Sequence, residues 1–146
     1  MLECIHDNYL SVLIIRSRMG PYKDTHLRLA MHIAILTFDG FNELDSLIAF
    51  NILNRIMEPD WRVSIASPTA TIRSMNGLVM ESQVSLEEAC AADAVLVGSG
   101  IRTREVAAAP ALMSQLKQDP TRQLLGAQCS GTLILARLGL LGDVPA

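Results

Sequence analysis

Cysteine is scarce in this chain: Cys4, Cys90 and Cys129 stand far apart, with no CxxC pair and no histidine at ligand spacing. That pattern is neither a zinc site nor a disulfide framework, and it fits a reducing cytoplasm. Charge of one sign is equally sparse. The formal net charge is -3, and no basic stripe or like-charge run occurs, which points away from nucleic acid as a partner. Long apolar runs are missing too. Val12 to Ile15 is far too short to span a bilayer and has no small-residue cleavage site after it, so neither a membrane anchor nor a secretory signal is read.

What is present is a foldable sequence. Half of the 146 residues are hydrophobic and 18% are charged, enough for one domain with a real core and short for two. Residues 1–30 hold His6 and His26, mixed charges and no sustained periodicity. They read as an N-terminal extension outside the core, either a mis-called start or a disordered tail. The alternative is a small extra element packed on the domain edge. At Met31 the pattern becomes orderly, and 31–146 reads as the domain.

From His32 strands alternate with helices. HIAILTF is a near-continuous apolar run, as expected for a strand covered on both faces. GFNELDSLIAFNILNRI follows, with Leu44, Leu47, Ile48, Ile52 and Ile56 on one predicted helical stripe. WRVSIAS is a second strand. TIRSMNGLVMES predicts a hairpin turning at Asn76-Gly77. Ser85 and Glu88 form a capping box for a short helix through Cys90. Ala94 to Val97 is a buried strand ending in Gly98-Ser99-Gly100. Arg104 to Gln118 is a helix that Pro110 must begin or kink. Leu124 to Gln128 is the next strand, and Thr132 to Leu140 a helix closed by Gly142.

This alternation predicts an α/β fold: a doubly wound, mostly parallel sheet of flavodoxin-like type between two layers of helices. Ligands of such sheets sit beyond the carboxyl ends of the strands. Three features fall there: the segment after Phe38, the Gly98–Gly100 loop, and Cys129.

Cys129 lies on a sharp strand-to-helix turn that its small neighbours Ala127, Ser130 and Gly131 permit. A helix N-terminus just beyond it favours thiolate, the attacking form. The backbone N–H of Ser130, with one from the Gly98–Gly100 loop, is placed to hold a developing negative charge. The competing reading of Cys129 is a small buried hydrophobe. Cys90, among alanines, reads as core. Glu43 and Asp45 both open the first helix, but two positions apart they face different ways, so at most one reaches the cysteine. His32 begins a strand at the far end from the site. Gly98-Ser99-Gly100 lacks the spacing of a nucleotide loop.

Three stretches, HIAILTFDGFNELD (32–45), DAVLVGSG (93–100) and LLGAQCSGTLILARLGLL (124–141), resemble the ThiJ/PfpI superfamily. The resemblance implies the class I glutamine-amidotransferase-like fold, no cofactor or metal, and a homodimer acting on a small-molecule substrate. Cys129 matches the family nucleophile, and Asp45 the acid that hydrogen-bonds its sulfur. Backbone N–H groups of Gly100 and Ser130 match the oxyanion-hole donors. An aspartate at that acid position and a hydroxyl residue after the cysteine are most similar to the isonitrile hydratase branch, and to the sensor domains of AraC-type regulators.

By that resemblance, the chain is a cysteine-dependent hydratase-like lyase that forms a covalent Cys129 adduct. The alternatives are a ligand-sensing domain of an AraC-type regulator and a redox or stress-response protein without turnover. Two departures stand out. The family loop usually reads Pro-Gly-Gly where this chain has Gly98-Ser99-Gly100, and the hydratases carry threonine where it has Ser130. Family domains also continue past Leu141. The expectation is therefore a domain incomplete at its C-terminal end, whose exposed apolar faces need covering by another chain.

Overall fold

The computed structural model describes residues 30–142, together with the backbone of Glu3–Asp7 and Leu10–Ile15. In chain order the elements are strands β1 (Glu3–Asp7), β2 (Leu10–Ile15) and β3 (Met31–Leu36), helix α1 (Glu43–Leu53), and strands β4 (Trp61–Ala66), β5 (Thr71–Arg73) and β6 (Val79–Glu81). Helix α2 (Leu86–Ala91), strand β7 (Ala94–Val97), helices α3 (Thr103–Ala108) and α4 (Pro110–Met113), strand β8 (Leu124–Gln128), a 3₁₀ turn (Cys129–Gly131) and helix α5 (Thr132–Arg137) complete it.

The main sheet runs β1-β2-β8-β7-β3-β4. Its four central strands are parallel, with Ile33–Leu36 registered against Ala94–Val97, and Ala94–Val97 against Leu124–Ala127. Strand β2 pairs antiparallel with β8, Val12 opposite Gln128, and β1 pairs antiparallel with β2. The expectation for 1–30 otherwise falls on residues outside those described. Among the described residues, no helix is long and apolar enough to cross a membrane.

Alternation along the strands builds two cores. Ala34, Leu36, Val95, Val97, Leu125 and Ala127 face one side, where Leu86, Ala107, Ile134 and Leu135 bring α2, α3 and α5. Ile33, Ile35, Val63, Ile65 and Ala94 face the other, against Ala49, Leu47, Phe50 and Leu53 of α1 and Ile72 of the β5–β6 hairpin. This is the three-layer α/β/α arrangement that the strand–helix alternation implies.

Local chemistry sets the element ends. Ser85 and Glu88 make the reciprocal capping box of α2. Gly77 turns the β5–β6 hairpin at φ 91°. Three expectations need correction. The stripe Leu44–Ile56 is not the buried face of α1: Leu44 is 65% exposed and Ile52 54%, because the helix lies on the sheet through Ala49, Phe50 and Leu53 instead. The alanine-rich segment is two short helices, since Pro110 cannot continue α3 and starts α4. Helix α5 stops at Arg137, not near Gly142. Gly139 at φ 72° ends it, with Gly139 N–H donating to Ala136 O and Leu140 N–H to Leu135 O, both at 3.0 Å.

Candidate active site

The chain leaves β3 into α1 on one face of the sheet and leaves β7 into α3 on the other. Where neighbouring parallel strands send their helices to opposite faces, a crevice opens at their carboxyl ends. The loops bordering it are stitched together. Asn42 N–H donates to Ser99 O at 2.9 Å, and Ile101 N–H donates to Gly40 O at 2.9 Å. A Cβ on Gly100 would collide with the Gly40 carbonyl oxygen, so this close approach requires glycine.

Cys129 sits one strand over, at the end of β8. Its φ is 47°, the left-handed conformation, and it is the only non-glycine residue there among those described. L-residues adopt that region at a cost, and the surroundings must impose it. Gly131 shows how: a Cβ there would lie 2.6 Å from both Val97 O and Gly98 O, so the turn is pressed against the end of β7. The side chain of Cys129 is exposed. This is the elbow geometry read from the sequence, and the competing reading of a buried hydrophobe does not hold.

Asp45 lies in the first turn of α1 and is only 9% exposed. Its Oδ2 accepts from the Ser99 hydroxyl and from Asn42 Nδ2, the latter at 3.2 Å. These bonds join the acid to the Gly98–Gly100 loop; among the described residues none joins it to the Cys129 sulfur. Glu43 serves elsewhere. Its carboxylate accepts from the Ser74 hydroxyl and from Asn76 Nδ2 at 2.8 Å, pinning the β5–β6 turn to α1. The Ser74 bond holds its pKa below the ordinary glutamate value.

Gly100 and Ser130 are brought together: Gly100 N–H points at Ser130 Oγ, 3.4 Å away. Thr103, absent from the sequence reading, completes this cluster. Its hydroxyl donates to Gly100 O at 2.8 Å, and having one proton it must accept from Ser130 Oγ at 2.9 Å. An i+3 threonine at the start of a helix is too common a capping pattern to have marked it.

Other residues fall away from the site. His32 Nε2 contacts Ser64 Oγ at 2.7 Å at the amino end of β3. Burial, with Arg62 nearby, lowers its pKa from the usual histidine value. Cys90 is half-buried, and its sulfur accepts from Lys117 N–H at 3.3 Å, tying α2 to the loop after α4. Gln128, directly before Cys129, is fully buried, and neither atom of its amide has a partner among the described residues. A cleft of about 350 Å³ lies beside the site between Phe38, Pro68, Arg102 and Val106, and Cys129 does not line it. No cluster of metal-ligating side chains occurs among the described residues.

Comparison with known proteins agrees with this architecture. The chain is 20% identical to DJ-1 of Toxoplasma gondii in its oxidized form, with a TM-score of 0.65 over 78% of this chain and 64% of that one. A ThiJ/PfpI family protein from Pseudomonas syringae is also 20% identical, with a TM-score of 0.66 over 84% of this chain and 52% of that one. A DJ-1 superfamily protein from Salmonella typhimurium is 23% identical, with a TM-score of 0.61 over 76% and 62% respectively. The chain thus spans less than two thirds of the length of these structures. No curated protein matches it. The sequence profile of the DJ-1/PfpI family matches residues 31–143, and with the elbow cysteine and sheet order in place, the chain belongs to that family.

Proposed function

We propose that this protein is a cysteine-dependent enzyme that adds water to a small electrophilic carbon, an isonitrile as the specific substrate, through a covalent Cys129 adduct. The observation that carries the proposal is the exposed sulfur of Cys129, held at positive φ at the end of a central strand and bordered by a loop that is bonded to a buried acid. Strained backbone is retained where surrounding structure imposes it for a purpose.

In this reading the Cys129 thiolate attacks the isonitrile carbon, and the Asp45 carboxylic acid gives that carbon its proton. The product of this step is a thioimidate, with one new C–S bond and one new C–H bond. Water then adds to the same carbon, and its protons pass to the nitrogen and back to Asp45. The C–S bond breaks, and the thiolate leaves an N-substituted formamide. The net change is one isonitrile plus one water to one formamide. Backbone N–H groups of Gly100 and Ser130 are the donors for negative charge developing on the way. The Ser130 hydroxyl now facing Gly100 N–H gives up a bond of only 3.4 Å when that charge arrives.

The domain is taken as 31–146, with 1–30 an extension at its β8 edge, acting in the cytoplasm as a homodimer without a cofactor. The exposed Leu44 and Ile52 on α1, with Ile56 just beyond its end, support self-association, since neighbouring exposed apolar side chains mark contact surfaces. The test is direct. The protein is expected to convert an alkyl isonitrile to its formamide, followed by loss of the isonitrile infrared band, and Cys129→Ala and Asp45→Asn should each abolish turnover. If Cys129 reacts with iodoacetamide no faster than free cysteine, the proposal fails.

Exposure of the same sulfur favours one second reading, oxidation without turnover. Peroxide would then add two oxygens to Cys129 selectively, as read by mass spectrometry, with no hydration activity.

A further inference from the structure

Ser99 is 6% exposed, and its hydroxyl is spent on one contact, the bond to Asp45 Oδ2. The same oxygen takes Asn42 Nδ2. Asn42 cannot turn its amide over, because its Oδ1 caps α1 by accepting Leu44 N–H at 3.1 Å. Its backbone N–H is in turn held by Ser99 O. The two donors are therefore locked to one another and to a single carboxyl oxygen. Oδ1 of Asp45 accepts no hydrogen bond from a described residue.

A carboxyl oxygen that already accepts two donors is a poor seat for a proton. Resting on the cysteine chemistry proposed above, we infer that Ser99 is a positioning residue: it holds Asp45 by Oδ2, so that the proton exchanged with the Cys129 adduct is carried on Oδ1. The serine does not touch substrate. It selects which oxygen of the acid works. Charged groups around the acid are otherwise engaged: Glu43 with Ser74 and Asn76, and Arg102 with Glu105 at 2.8 Å and Asp39 at 3.7 Å. Ser130 and Thr103, on the elbow side, carry no charge.

The test is steady-state hydration of an alkyl isonitrile by the full chain, with alkylation of Cys129 by iodoacetamide, read by peptide mass spectrometry, as the control for an intact elbow. Ser99→Ala frees the carboxyl to turn between its two oxygens, so kcat is expected to fall roughly tenfold, about the effect of one hydrogen bond to a charged group, with KM and the alkylation rate unchanged. Ser99→Thr should restore the parental kcat. An unchanged kcat, or a loss carried by KM or shared by the alkylation rate, overturns the inference. A parent protein that hydrates no isonitrile defeats the cysteine reading and this inference with it, whereas a parent that turns over while Ser99→Ala matches it defeats this inference alone.

Discussion

The α-carbon of Gly131 lies against the carbonyl oxygen of Gly98, close enough that a single methyl group there would stand 2.6 Å from it. Two loops that are thirty-odd residues apart in the chain meet at this point. Their contact fixes how far the elbow can retreat from the end of β7, and hence where the sulfur of Cys129 projects.

Gly131→Ala is therefore expected to destabilise the fold by roughly 2–3 kcal/mol, since two backbone oxygens rather than flexible side chains must yield. Urea unfolding reads the loss, and slowed Cys129 alkylation reads the displaced elbow. A change within 0.5 kcal/mol would show that the turn relaxes freely.

Gln128 carries a buried amide without a partner among the described residues, a deficit that costs roughly 1–3 kcal/mol. Gln128→Met keeps the side-chain length and removes both orphan groups. It is expected to raise the urea midpoint with an unchanged m-value. A fall in the midpoint would mean that the amide is satisfied in solution.

His32 has its pKa lowered, by burial first and by Arg62 second. The unfolded chain then binds this proton more readily than the folded one, so stability is held above the ordinary histidine value and is lost as pH falls through the folded pKa. The melting temperature is expected to drop between pH 7.5 and pH 5.5, and His32→Gln should flatten that slope. An unaltered slope in the variant would remove His32 as the cause.

Leu44 and Ile52 are exposed on the outer side of α1, away from the face that packs through Ala49 and Phe50. If a second copy covers them, Leu44→Glu with Ile52→Glu converts a dimer to a monomer in analytical ultracentrifugation. The folded monomer should gain solubility rather than lose structure. A parent protein already monomeric at tens of micromolar would dispose of the homodimer.

Much of this molecule was legible in the chain because the signals are local. Three of the four parallel strands are mostly apolar stretches of four to six residues and β4 alternates through Arg62 and Ser64, while Asn76-Gly77 and the Ser85–Glu88 box state their turn and cap within a few positions. The elbow was legible for the same reason: a cysteine between small residues at a strand end has few other conformations to take. The buried face of α1 was not. Its apolar residues surround enough of the helix to suggest two stripes, and only the approach of the sheet to Ala49 decides between them.

The chain alone determined the alternation of strands and helices and the turn at Cys129, and it left Glu43 and Asp45 as rival acids. Tertiary structure alone decided that the acid's bonds go to Ser99 and Asn42, that Thr103 joins Ser130, and that Gln128 is shut away from water. Hydrogen-bond direction and burial depend on which distant segments are pressed together, and spacing along a chain carries no record of that.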